Sequence, residues 1–137
     1  MPTARCEEAE HAKQRRQFGM PPASFQLVQY RLARMLADIT DVLCVQYRLS
    51  QLMDEGDYSM SRVALAKMHY TERARAILSD ACDMLGGNGI LLDYHVARHL
   101  CDIEVIDTYE GTDTVQALIV GRDITGYNAF APSHPDH

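Results

Sequence analysis

Residues 23–54 read ASFQLVQYRLARMLADITDVLCVQYRLSQLMD, and residues 59–85 read SMSRVALAKMHYTERARAILSDACDML. In the first stretch apolar side chains fall at Phe25, Val28, Leu32, Met35, Leu36, Ile39, Val42, Leu43, Leu49, Leu52 and Met53. That spacing repeats about every 3.6 residues, the mark of an amphipathic helix. Arg31, Arg34, Asp38 and Asp41 fill much of the opposite face. In the second stretch Val63, Ala66, Tyr70, Ala74, Ile77, Ala81 and Met84 continue one face, and Ser59 or Ser61 is placed to cap its start. The polar turn Asp54-Glu55-Gly56-Asp57 separates the two. Two long helices joined by so short a turn lie antiparallel.

Shorter elements complete the pattern. Residues 3–17 are rich in strong helix formers, with Thr3 as the cap, and Phe18-Gly19-Met20-Pro21-Pro22 stops them. Further helices are expected at 94–105 and 113–126. No stretch alternates convincingly as a strand. The expected fold is all-α, an antiparallel bundle of four to five helices over residues 1–130, with 131–137 as a flexible tail.

Composition narrows the function. The chain has 137 residues, 47% hydrophobic and 23% charged, in the range of a globular domain. A net charge of −6 argues against nucleic acid as a partner and offers no attraction to anionic membranes. No apolar run is long enough to span a bilayer, and no signal peptide opens the chain. Cys6, Cys44, Cys82 and Cys101 are irregularly spaced and read as buried free thiols of a reducing cytoplasm. His95 and His99 have a zinc-compatible spacing but lack the H-E-x-x-H glutamate, so no metal is expected.

Two motifs remain. Met84-Leu85-Gly86-Gly87-Asn88-Gly89 closes the second long helix, where glycines at positive φ suit a C-terminus. It is not a dinucleotide fingerprint, because Leu92 stands where the third glycine belongs, and no Gly-Lys-Ser/Thr makes it a P-loop. Thr108-Tyr109-Glu110-Gly111-Thr112 sets a carboxylate in a turn directly before a helix, where it complements the helix dipole. The basic cluster Lys13, Arg15 and Arg16 complements the dipole at the end of the first helix or clamps a phosphate. Taken singly, each motif has a purely structural explanation.

Their order is more specific. Arg15-Arg16-Gln17-Phe18-Gly19, Phe25-Gln26-Leu27-Val28-Gln29, Asp83-Met84-Leu85-Gly86-Gly87-Asn88-Gly89-Ile90, Tyr94-His95-Val96 and Arg98-His99 precede the Glu110 motif. Gly121-Arg122, Ile124-Thr125-Gly126 and Ala129-Phe130 follow it. The whole series resembles the C-terminal helical part of the acyl-CoA dehydrogenases, and within them the glutaryl-CoA dehydrogenase branch. Thr114 and Gln14 stand where many family members carry other polar or acidic residues, and the segment Lys67 to Glu72 differs from the glutaryl branch.

The resemblance implies a division of labour. Glu110 would be the base that takes the α-proton of an acyl-CoA thioester while the β-hydrogen leaves as hydride to FAD. A carboxylate at the end of a closed acyl pocket has its pKa raised by desolvation, which suits a base near neutral pH. The Glu110 backbone N–H would polarise the thioester carbonyl, and Gly111 would lie against the substrate. Arg15 would hold the FAD pyrophosphate, with Phe18 and Gln26 near the adenine. Asp83, Met84, Leu85, Gly86 and Gly87 would offer backbone to the adenosine. Thr112 would contact flavin, and Phe130 would close the cofactor site. The glutaryl branch adds loss of CO₂ to give crotonyl-CoA.

Partners implied by the resemblance are an electron-transfer flavoprotein and other copies of the chain, in a homotetramer that shares FAD across an interface. The location would be cytoplasmic, or the mitochondrial matrix in a eukaryote. Members with the base on another helix replace the loop glutamate, so Glu110 sets this chain apart from them. The isolated chain is expected to show little or no turnover. Two other readings fit: a non-catalytic helical association module, and an acyl-CoA oxidase relative that passes electrons to oxygen.

Overall fold

The computed structural model describes residues 9–128 and Phe130. Residues 9–14 are helical (α1), followed by α2 (Gln26–Asp54), α3 (Met60–Leu85), α4 (Val96–Thr108) and α5 (Asp113–Thr125). Short 3₁₀ turns cover Pro22–Ser24, Gly86–Ile90 and Leu92–Tyr94. Among the described residues there is no strand, only an isolated bridge between Gln17 and Met20. The all-α reading therefore holds. The first helix stops at 14 rather than 17, because the chain turns into that bridge with Phe18 at φ 53° and Gly19 at φ 81°. The helix expected from 94 begins at Val96, since His95 sits in the left-handed region at φ 61°. Thr3, Cys6 and the tail 131–137 lie outside the described residues.

α2 ends in a Schellman arrangement: Asp57 N–H donates to Leu52 O at 2.9 Å and Gly56 N–H to Met53 O at 3.0 Å. This reverses the chain and brings α3 back antiparallel along α2. Side-chain pairs mark the register: Arg31 with Asp83 at 3.6 Å, Arg73 with Asp38 at 3.7 Å, and His69 Nε2 beside Asp41 Oδ2 at 2.8 Å. The last pair lies close without the alignment of a hydrogen bond. Arg31, Asp38 and Asp41 thus flank the contact with α3 instead of the outer face assigned to them from periodicity. Each partly exposed pair contributes at most about 1 kcal/mol, so they set register more than stability.

α3 is the spine of the fold. Its buried side chains are Ala64, Ala66, Thr71, Ala74, Ile77, Leu78, Ala81 and Leu85. These cover two faces, because α2 packs on one side while α4 and then α5 run back along the other. The small alanines let three helices approach one. The core joins Met35 of α2, Ile77, Leu78, Ala81 and Leu85 of α3, and Val96 and Ile103 of α4. Arg75 fastens α3 to α4 with a two-pronged grip on Glu104, its Nε at 2.7 Å and Nη2 at 3.1 Å. Shaving one methylene from this core should be measurable. Ile103→Val is expected to lower stability by about 0.5–1.5 kcal/mol in urea unfolding; an unmoved midpoint would mean that the α4 contact contributes nothing.

Other expectations need correcting. Ser59 occupies the N-cap of α3 but makes no side-chain cap bond; its hydroxyl pairs with Ser61 Oγ at 2.8 Å, which in turn reaches Asp123. Among the described cysteines, Cys44 and Cys101 are exposed and Cys82 is only partly covered at the edge of the core, so none of these three is fully buried. In α2 only Met35 is fully buried, while Phe25, Leu36, Leu43 and Met53 stay exposed.

Candidate functional site

The Glu110 turn bridges α4 and α5 and lies against the middle of α3. Glu110 itself has φ 57° and Gly111 φ 102°. A methyl group on Gly111 would stand 2.8 Å from Gln116 Nε2 and 3.2 Å from Val115 Cγ1, so glycine is required by both conformation and space. The turn is held by its carbonyls. Lys67 Nζ donates to Tyr109 O and, at 2.6 Å, to Gly111 O. Gln116, a buried residue of α5, donates Nε2 to Glu110 O at 3.0 Å and to Gly111 O at 3.1 Å. The Lys67 ammonium also sits 5.2 Å from the centre of the Tyr109 ring. With its backbone pinned inward, the turn leaves the Glu110 side chain exposed.

Thr112 occupies the N-cap of α5, yet its hydroxyl makes no cap bond; only its carbonyl is used, accepting Gln116 N–H at 3.0 Å. Lys67 and Gln116 were not singled out as site residues from sequence. The one hint was that Lys67 begins the segment departing from the glutaryl pattern.

A second cluster forms where α3 ends. A groove of about 280 Å³ is lined by Arg15, Leu27, Arg31, Asp83 and Met84 among others. Arg15 Nη1 stands 3.8 Å from the point where a Gly86 Cβ would be. The three glycines here have three different reasons. Gly86 adopts φ 60° and ψ −133°, which side chains avoid. Gly89 is buried, and a Cβ would meet Cys82 O at 2.3 Å. Gly87 has neither constraint: its surroundings are open and it is exposed. Leu85 is 1% exposed and packs in the core, so it is closed to a ligand in this conformation.

The remaining candidates are less well gathered. Phe18 is 93% exposed and meets Phe25 edge to face at 6.3 Å, and Gln26 is exposed beside them. Phe130 lies at the other end of α3, in an open groove of about 590 Å³ with Ser59, Met60, Ile119 and Arg122. Lys67 and Leu85 are about 27 Å apart along α3 at about 1.5 Å per residue. The Glu110 turn and the glycine cluster are thus well separated along α3. No group of three or more metal-ligating side chains occurs among the described residues, and no described helix is long and apolar enough to cross a membrane.

The helical domain thus presents an exposed carboxylate on a pinned turn, and an arginine beside a glycine-rich turn. Its family is shown directly. Residues 3–125 match the C-terminal domain of the acyl-CoA dehydrogenases, and the chain belongs to that family. It is 35% identical over 118 residues to a 3-(aryl)acrylate reductase of Clostridium sporogenes, covering 86% of this chain and 31% of that protein. The glutaryl-CoA dehydrogenase structure from Mycobacterium smegmatis superimposes with a TM-score of 0.90 at 32% identity, over 94% of this chain and 33% of the other. A glutaryl-CoA dehydrogenase structure from the same organism, in complex with FADH2, superimposes at 0.89 with 29% identity, over 93% and 33% of the two chains. The chain therefore spans about a third of the length of these relatives. Homologues in the family use FAD.

Proposed function

We propose that the chain serves an FAD-dependent α,β-dehydrogenation of an acyl-CoA thioester, with Glu110 as the base. The observation that carries this reading is the Glu110 turn, whose backbone is fixed through Lys67 and Gln116 while its carboxylate stays exposed. A residue that only complemented a helix dipole would need no such fixing. The outward carboxylate would take the α-proton, and the Glu110 N–H would donate to the thioester carbonyl as negative charge develops there. When bound, FAD would supply the hydride acceptor for the β-hydrogen.

The chain's residues fit that cofactor. Arg15 offers a planar cation suited to a pyrophosphate, beside Gly86 and near the open position at Gly87. The Thr112 hydroxyl has no structural duty as a cap. The separation of the half-sites favours a cofactor shared between copies of the chain, as in a homotetramer. An electron-transfer flavoprotein is the proposed electron acceptor. The proposed setting is the cytoplasm, or the mitochondrial matrix in a eukaryote.

Glutaryl-CoA is the proposed substrate, with decarboxylation to crotonyl-CoA. The match to glutaryl-CoA dehydrogenase structures supports it, while the aryl-acrylate relative points to other acyl groups. The test is an assay of the flavin-loaded enzyme carrying this chain with glutaryl-CoA and butyryl-CoA. Release of CO₂ and crotonyl-CoA from glutaryl-CoA is expected. Oxidation of butyryl-CoA alone would overturn the glutaryl assignment, and oxygen-dependent peroxide would favour an oxidase. The 137 residues alone are expected to turn over little or nothing, because substrate must be positioned by walls these residues do not supply.

A further inference from the structure

The α3 lysine is connected to the chemistry through a peptide bond. Lys67 Nζ donates to the carbonyl of Tyr109, and that carbonyl belongs to the same peptide group as the Glu110 N–H. A charged donor on a peptide oxygen draws electron density from the nitrogen and makes its N–H a stronger donor, since hydrogen bonds in series polarise one another. The second donation, to Gly111 O, fixes the carbonyl of the residue that follows Glu110. Glu110 is therefore bracketed by two carbonyls tied to one ammonium, at a left-handed φ of 57°. Lys67 is partly buried and its ammonium lies over the Tyr109 ring, which limits its freedom to swing away.

We propose that Lys67 is a positioning residue for the acyl-CoA reaction: it aims the Glu110 carboxylate and, through the Tyr109–Glu110 peptide, strengthens the N–H that receives the thioester carbonyl. This rests on the reading of Glu110 as the base. Gln116 shares the first task, because it holds Glu110 O and Gly111 O, but it does not touch Tyr109 O. The two residues are separable on this point: only Lys67 bears on the Glu110 N–H through Tyr109 O.

The test has two arms, using Lys67→Met and the conservative Lys67→Arg. In the chain itself, nuclear magnetic resonance reads the Tyr109 and Gly111 carbonyl shifts, the Glu110 amide proton and the backbone order of 110–111. Lys67→Met should move all three shifts and lower the order parameters from about 0.85 to below about 0.6, with α3 unchanged and Lys67→Arg close to wild type. In the flavin-loaded enzyme, Lys67→Met should lower kcat on the order of 10²-fold while KM changes little. The carbonyl stretch of a bound enoyl-CoA should move back toward its value in water.

Unmoved Glu110 and Tyr109 resonances in Lys67→Met would overturn the proposal, as would disorder spread equally through α3. An active enzyme in which Lys67→Met keeps kcat would overturn its catalytic part. An enzyme that oxidises no acyl-CoA would instead sink the assignment of Glu110, while the resonance arm still decides whether Lys67 tethers and polarises the turn.

Discussion

Glu110→Gln is expected to lower acyl-CoA oxidation by the flavin-loaded enzyme about 10²–10⁴-fold, with the fold intact. The substitution replaces a carboxylate by an amide of nearly the same shape, which cannot accept the α-proton. Its effect on the turn should be small, because the turn is anchored by the carbonyls of Tyr109, Glu110 and Gly111 and not by the Glu110 side chain. Stopped-flow reduction of the flavin by substrate checks the rate, and urea unfolding checks the fold. A rate within about tenfold of wild type would place the base elsewhere. A large fall in stability would mean that the carboxylate has a structural partner.

Gly89→Ala and Gly87→Ala are expected to separate packing from ligand space. At Gly89 a Cβ would stand 2.3 Å from Cys82 O, 2.9 Å from Cys82 Cα and 3.0 Å from its carbonyl carbon. These are backbone atoms of α3, so no rotamer change relieves the overlap. The expected cost is about 3 kcal/mol or more, a large share of the stability of a domain this size. At Gly87 a Cβ meets nothing within 4 Å. Gly87→Ala should leave the unfolding free energy within about 0.5 kcal/mol of wild type but reduce FAD retained after desalting. Equal destabilisation by both would make the cluster a helix cap alone. A neutral Gly89→Ala would mean that the turn lies farther from α3 than the structure places it.

The hairpin of α2 and α3 was legible in the sequence because a periodic apolar pattern reports one thing well: that a helix has a side to bury. It reports less well how many neighbours share that side. The α3 pattern reads as one face, yet the helix buries two, since Ala64, Leu78 and Leu85 lie off the line through Ala66, Ala74 and Ala81. The α2 pattern reads as a buried stripe, yet Leu43 is 61% exposed. Arg31, Asp38 and Asp41 read as outward charges, but their partners Asp83, Arg73 and His69 are on the next helix.

The site divides in the same way. Glu110, Gly111 and the glycine cluster could be found because their neighbours in sequence form the motif. Lys67 and Gln116 could not, because each acts on carbonyls that any residue type would supply. A lysine that reaches Tyr109 O from 42 positions away leaves no local pattern. Nor can Gly86, Gly87 and Gly89 be told apart as letters, although one answers to backbone conformation, one to a carbonyl behind it and one to open space.

The placement of both half-sites on a single helix has a consequence for length rather than composition. From Lys67 to Leu85 the chain is a shaft with a fixed phase. One inserted residue would advance the glycine cluster by about 1.5 Å and turn it by about 100° relative to the Glu110 turn. Lys67 and Leu85, eighteen residues apart, share an azimuth, so the two surfaces proposed to meet ligand would then point in different directions. The turn at 54–57 can absorb an extra residue without disturbing either surface. Exposed positions of the shaft between Lys67 and Leu85 can be substituted, but residues cannot be inserted or removed without changing this phase.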